Sequence, residues 1–204
     1  AIVMGYAESL RGQLRNDADA LAEIEHIADA GRRGANLSKS LLSFGRTSKS
    51  QSHEIFNARA MSVDLPVLLK PLLGPAHKLE IESASEPLWV NGDHDLLLQC
   101  LVNLVVNARD AMPGGGKVVV SFATEPAGSD RIKRAGLPVA RDFVRIQATD
   151  NGSGMSRQTL EKIFDPFFTT KEVGKGTGLG LALLFSFVKN HQGHVDVQSE
   201  VGKG

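Results

Sequence analysis

The sequence predicts an α+β chain: a helical hairpin followed by a sheet with helices packed on one face. Three observations carry this. Residues 1–48 contain no proline and repeat apolar residues at helical spacing. Residues 47–52, Thr-Ser-Lys-Ser-Gln-Ser, read as a polar linker. Beyond it, strand-like and helix-like periodicities interleave, as they do in a sheet covered by helices. The expected division is a hairpin over 1–50 and a larger unit over 53–204.

Val3, Ala7, Leu10 and Leu14 form the first apolar stripe. Asn16-Asp-Ala-Asp19 is a polar break and a helix cap, after which Leu21, Ile24, Ile27 and Ala28 begin a second stripe. That stripe continues through Gly31, Gly34, Ala35, Leu37, Leu41 and Phe44, with small residues where another helix can approach closely. Two stripes on one hairpin need further helices to bury them, and half of a dimeric four-helix bundle is the simplest solution. After the linker, strands are expected at 53–59, 78–83, 88–91, 117–124, 143–150 and 194–199. Helices are expected at 63–73, 93–112, 157–164 and 178–190, and residues 125–142 read as a long polar loop.

The bulk composition excludes several classes. With 23 basic and 23 acidic residues, no global charge recruits nucleic acid or a membrane. Cys100 is alone, which rules out an internal disulfide or a cysteine metal cluster and fits a reducing, cytoplasmic setting. It lies in an apolar helical run, the usual place of a small core thiol. No apolar stretch reaches membrane-spanning length, so this stretch of chain is expected to make no membrane contact, while a longer protein could still be tethered. Both ends read as cuts through something larger.

Four short motifs then follow in order. They are Asn103-Leu-Val-Val-Asn107-Ala-Arg-Asp110, Asp150-Asn-Gly152-Ser-Gly154-Met155, Phe164-Asp-Pro-Phe167-Phe168, and Gly174-Lys-Gly176-Thr177-Gly178-Leu179-Gly180-Leu181. Asn103 and Asn107 share one helical face, and two amide oxygens facing a cleft suit Mg²⁺, which takes few protein ligands and completes its shell with phosphate and water. Either residue alone would more simply satisfy neighbouring backbone. Asp150 ends an apolar strand, where its carboxylate can accept a hydrogen bond from the exocyclic amine of a base, with Gly152 and Gly154 letting backbone approach the ring. Taken singly, Asp-Asn-Gly is an ordinary turn.

The glycines from Gly174 to Gly180 open a helix, whose first N–H groups form an anion site. A Walker loop does not fit, because Gly176 follows Lys175 and Thr169 occupies the place of the first glycine. The dinucleotide fingerprint does not fit either, since the spacing is Gly-x-Gly-x-Gly and loop precedes it. Phe164, Phe167 and Phe168 read as anchors at the hinge of a mobile segment running to Gly180. Thr169, Thr170 and Lys171 would be lid residues, with Lys171 within reach of a terminal phosphate.

The four motifs together resemble the N, G1, F and G2 boxes of the histidine kinase catalytic domain, in the superfamily shared with DNA gyrase, MutL and the Hsp-type chaperones. The resemblance covers residues 53–204 and implies an α/β sandwich of the histidine kinase ATPase type that binds ATP and Mg²⁺ beneath a lid. It implies that Asn107 ligates magnesium, that Asp150 reads the adenine amine, and that Gly176, Thr177, Gly178, Leu179 and Gly180 hold phosphates. Asn103, Asp110, Gly152, Gly154 and Lys171 complete the implied nucleotide-binding set. In the ATP-hydrolysing relatives a glutamate stands where this chain has Asn103, and an amide cannot act as general base for water.

Val3-Met-Gly5-Tyr6-Ala-Glu8-Ser-Leu10 resembles the stretch after the phosphoacceptor in kinases whose acceptor block reads His-Asp-Phe-Asn-Asn. The accepting histidine is then expected ahead of Ala1, so no catalytic residue is assigned within the chain and it is not expected to phosphorylate itself. His26 lacks the adjacent acid, and His53, His77, His94, His191 and His194 sit at or near element ends. The expected partners are a second copy, through the N-terminal helices, and a response regulator receiver domain. The alternatives are a superfamily ATPase driving a conformational change and a non-catalytic dimeric adaptor.

Overall fold

The computed structural model describes residues 2–15, 17–45, 54–172 and 176–204. The predicted linker at 47–52, His53, Gly174 and Lys175 lie outside these residues, as do the side chains of Val3, Ala35, Leu37, Leu41 and Phe44. The first two elements are α1 (Ile2–Gln13) and α2 (Ala18–Gly45). In the turn between them the Asp17 carboxylate accepts from Ala20 N at 3.0 Å, so an acid of the predicted polar break caps α2. Ala7 and Ile24 are buried, while Ile2, Tyr6, Leu10, Leu14 and Ile27 stay exposed.

The remaining elements are β1 (Glu54–Asn57), α3 (Ala58–Leu73), β2 (His77–Ser83), β3 (Trp89–Gly92), α4 (His94–Asp110), β4 (Gly116–Glu125), α5 (Asp130–Arg134), β5 (Phe143–Asp150), α6 (Arg157–Leu160) and α7 (Gly180–Asn190). β1 pairs antiparallel with β3, placing Glu54 opposite Gly92. The larger sheet runs β2-β4-β5, with β2 and β4 parallel and β4 and β5 antiparallel. On β4 the side chains of Val118, Val120 and Phe122 are buried, and Lys117, Val119, Ser121 and Ala123 alternate with them on the other face. The buried face packs on Leu65, Leu69 and Leu73 of α3, Leu97, Leu101 and Val105 of α4, and Phe187 of α7. The result is the expected sheet with helices on one face, and α2 also touches α7.

Four boundaries differ from expectation, each for a local reason. The first strand stops at Asn57, whose side chain accepts from Arg59 N (3.1 Å) and Leu88 N (2.8 Å), so α3 starts at Ala58 rather than 63. The helix expected over 157–164 ends at Leu160 and continues as turns. The 125–142 loop contains α5, nucleated by the Ser129 cap on Ile132 N at 3.2 Å and by burial of Ile132. Residues 194–199 form no ladder with any described strand. They are tied instead through Ser199, whose hydroxyl accepts from Met155 N and donates to Gly204 O, each at 2.9 Å.

Candidate functional site

Helix α4 organises the site because its two faces do different work. Leu97, Cys100, Leu101, Val105 and Ala108 are buried in the core. Asn103, Asn107 and the residue after the helix, Ala111, recur every four positions on another face. Each of these three meets a different distant motif. A Cβ added to Gly180 would lie 3.3 Å from Asn103 Cγ, so the amide packs against the first turn of α7, and glycine makes room for it. Asn107 Oδ1 accepts from Lys171 Nζ at 3.0 Å. The Ala111 carbonyl accepts from Ser153 N at 2.9 Å, which docks the loop after β5 on the end of the helix. From 103 to 111 the helix rises about 12 Å.

At the far end, Asp150 Oδ1 accepts from Gly152 N at 2.9 Å. Its other oxygen has no hydrogen-bond partner among the described residues. The glycines of this loop have a structural reason beyond the one read from sequence. A Cβ on Gly152 would sit 2.8 Å from the Ala111 carbonyl oxygen, and one on Gly154 would collide with the Glu200 carbonyl. Both are therefore demanded by packing against protein.

The segment expected to form the lid leaves the fold and returns to it at a narrow neck. Phe167 and Gly178 both have positive φ, 70° and 64°, and Phe167 N donates to Gly178 O at 3.0 Å. Within the lid, a Cβ on Gly176 would sit 2.5 Å from Thr169 Oγ1, and that same oxygen accepts from Lys171 N at 3.2 Å. Thr177 Oγ1 accepts from Leu179 N at 3.4 Å; Leu179 is buried, and α7 begins without a side-chain cap. Its first-turn N–H groups are thus left for an anion. Phe164 stacks on Phe185 of α7 with ring centroids 5.0 Å apart, fixing the base of the segment to the fold.

Lys171, expected within reach of a terminal phosphate, lies against α4. Its ammonium contacts Asp110 Oδ2 at 2.5 Å as well as Asn107 Oδ1. The other Asp110 oxygen, Oδ1, accepts from Arg109 Nη2 at 2.6 Å and Nε at 2.9 Å, and Arg109 Nη1 donates to Leu72 O at 2.8 Å. Partial burial works against the charge on Asp110, and the hydrogen bonds from Lys171 and Arg109 outweigh it, holding the carboxyl below its ordinary range. Arg109, which the motif reading left out of the site, is the residue that fastens Asp110 to the end of α3.

Two hard oxygens, Asn107 Oδ1 and Asp110 Oδ2, thus face a single cation, a donor set that suits Mg²⁺. Among the described residues no three His, Cys, Asp or Glu side chains cluster, so an all-protein metal cage is absent there and a metal would need oxygens from a ligand. The described histidines include His77, bonded to Met112 O, and His191, bonded to Phe187 O, both as element-end residues. A trough on the open face of the sheet, lined by Glu82, Ser121 and Arg145 among others, contains none of the site residues.

The family described as histidine kinase-, DNA gyrase B-, and HSP90-like ATPase matches residues 92–204. Sensor kinase CckA of Brucella abortus is 41% identical over 184 residues, covering 89% of this chain and 19% of that protein. The chain spans about a fifth of the length of the curated relatives it matches. Among solved structures, full-length ShkA in complex with AMPPNP aligns with a TM-score of 0.74 at 22% identity, covering 98% of this chain and 40% of that one. Histidine kinase ThkA in complex with the response regulator protein TrrA aligns with a TM-score of 0.63 at 21% identity, covering the whole of this chain and 57% of that one. At these identities the two structures establish the shared fold.

Proposed function

The chain belongs to the family of histidine kinase-, DNA gyrase B- and HSP90-like ATPases, as an ATPase domain of the sensor-kinase type, and from that premise we propose that it binds Mg-ATP and donates the γ-phosphoryl to a histidine for relay to a response regulator aspartate. One observation carries the proposal. Three points outside the helix, Gly180 at the start of α7, Lys171 and Ser153 in the loop after β5, converge on successive turns of one face of α4, through Asn103, Asn107 and Ala111. A base would lie at the Asp150 end of that face, and phosphates between Asn107 and the start of α7.

In this reading the Asp150 oxygen left without a protein partner accepts from the adenine amine, and Gly152 N holds the carboxylate in place. Asn107 holds magnesium, whose charge neutralises the phosphates during transfer. The uncapped N–H groups of α7 and the glycines up to Gly180 bind the phosphates. Asn103 packs on Gly180 and cannot take a proton from water, which favours transfer over hydrolysis. The exposed stripe of Ile2, Tyr6, Leu10 and Ile27 on α1 and α2 supports pairing with a second copy through the hairpin, forming a dimerisation unit ahead of the catalytic one. The acceptor histidine would precede residue 1 in a longer chain. A partner receiver domain is supported by the complex that the ThkA structure contains.

Asp150→Asn tests the base assignment cleanly, because the amide keeps an oxygen for Gly152 N and loses the charge. A charged hydrogen bond of this kind is worth about 1.5–3 kcal/mol, so ATP affinity measured by calorimetry should fall tenfold or more. Unchanged affinity would remove Asp150 from the site.

A further inference from the structure

Asp110, which the resemblance places in the nucleotide-binding set without a role, is engaged by protein on both of its oxygens. Its carboxylate is held on both sides, by Arg109 at Oδ1 and by Lys171 at Oδ2, and Arg109 is itself fastened to the last turn of α3 through Leu72 O. The side chains are only 26% and 31% exposed at Asp110 and Lys171, so this is a sheltered pair and not a solvated surface contact. The same ammonium also takes the Asn107 oxygen. Lys171 therefore sits in the cation seat that the proposed function assigns to magnesium. An ammonium and a divalent ion cannot share two oxygens, since like charges at ligand distance repel strongly.

We infer that Asp110 acts as a positioning residue for the lid: it parks Lys171 in the cation seat beside Asn107, so that a magnesium nucleotide must displace the lysine, and the displaced lysine is delivered to the phosphates. The inference rests on reading this pocket as a Mg-ATP site. The parked lysine spends its charge on Asp110 and tethers the lid to α4 across 61 residues of sequence. A nucleotide that brings its own cation replaces it at Asn107, and Lys171 then finds new acceptors in the phosphate oxygens. Arg109 keeps Asp110 from turning into the phosphate path, because both of its bonds to the carboxylate end on Oδ1 and its third ends on α3.

The test compares wild type with Asp110→Asn, Lys171→Gln and Lys171→Arg, using two readouts. The first is hydrogen exchange of the lid amides over 168–172 in nucleotide-free protein; the second is the affinity for Mg-AMPPNP by calorimetry. Asp110→Asn and Lys171→Gln should each speed lid exchange by tenfold or more, and Lys171→Arg should restore slow exchange. In wild type the same exchange, repeated with ligand, should change more with Mg-AMPPNP than with AMPPNP free of magnesium, because only the magnesium form displaces Lys171 from the seat. Lid exchange unchanged in Asp110→Asn and in Lys171→Gln overturns the latch. Equal change of lid exchange with AMPPNP and with Mg-AMPPNP also overturns it, since the nucleotide would then act without its cation displacing the lysine. Wild type that fails to bind Mg-AMPPNP at all would sink the nucleotide reading instead, whatever the lid exchange shows. Should Asp110→Asn fail to fold, the two Lys171 variants carry the same comparison with Asp110 intact.

Discussion

Gly178→Ala should loosen the lid without unfolding the chain. Gly178 has φ of 64° and faces Phe167, itself at 70°, so two left-handed residues meet across the neck. An L side chain at that φ costs about 1–2 kcal/mol. The new Cβ would also lie 2.5 Å from Phe167 O and 2.6 Å from Phe167 Cα, well inside contact distance. Overpacking of this kind costs about 1–3 kcal/mol, and it is relieved when the neck parts and the 3.0 Å bond from Phe167 N to Gly178 O breaks. Together these come to about 2–5 kcal/mol, and the cheapest response is local opening. The opening equilibrium should shift by a factor of about 30 or more, since each 1.4 kcal/mol is tenfold. Gly136→Ala is the control. Gly136 has φ of 67° but nothing within 4 Å of its added Cβ, so it tests strain without collision. Amide exchange at Phe167, read by NMR, should rise about 30-fold or more in Gly178→Ala and stay at the wild-type rate in Gly136→Ala. Phe167 exchange within about threefold of wild type in Gly178→Ala would refute the reasoning.

Two further predictions concern groups outside the site. Burial pushes the Cys100 thiol up to about 12, so at pH 8 the native chain should react with a thiol reagent only as fast as it opens, and the urea-unfolded chain at once; rapid native labelling would contradict the packing of α4. On the open face of the sheet, Glu80 accepts from Lys117 at 2.7 Å and Lys78 at 2.8 Å, and these bonds pull its carboxyl down to about 2. Because the folded value lies below the ordinary 4.5, its contribution to stability is present above that pH and is lost as pH falls toward 2. An NMR titration should place the Glu80 midpoint near 2 at low salt, rising in Lys117→Ala; a midpoint at the ordinary value would show the bridges to be broken in solution.

Elements whose signal is local were legible in the sequence, and elements set by distant approach were not. Residues 143–150 were read with both ends in place because alternation begins at Phe143 and stops at the Asp150 turn. The helix carrying Asn103 and Asn107 was legible from its apolar face, whereas Asp93, read as its first residue, is its cap and accepts from Leu96 N at 2.9 Å. The start of α3 was hidden because Asn57 is both the last residue of a strand and the cap of the next helix. The strand reading of 194–199 failed because alternation describes a face and supplies no partner edge. In the candidate site, two relations among the expected residues lay beyond what sequence could show. Gly152 and Gly154 are required by Ala111 and Glu200, and Lys171 lies on Asp110. Both relations depend on contacts between residues some 40 to 60 positions apart, which no local pattern encodes.

The chain carries no net charge, so any attraction for a polyanion must be arranged locally. Helix α4 does this with a division of labour along its length. Its buried residues, Leu101 and Val105 foremost, anchor Asn103 and Asn107 to the rigid core, so the oxygens and the docked Asp150 loop stay in place without a ligand. The lid is held by two contacts of a different kind, the neck at Phe167 and Gly178 and the ion pair at Asp110. The neck is a strained backbone pairing that any partner leaves unchanged, whereas the ion pair is sensitive to a competing cation. If the proposed latch holds, opening at the Lys171 end responds to an incoming divalent ion, while opening at the neck responds only to the backbone. A ligand that carries phosphate without a divalent ion should leave the Asn107 seat to the lysine, and so should order the lid less than the same ligand with magnesium. That asymmetry separates a latch from a lid that simply folds over any bound phosphate.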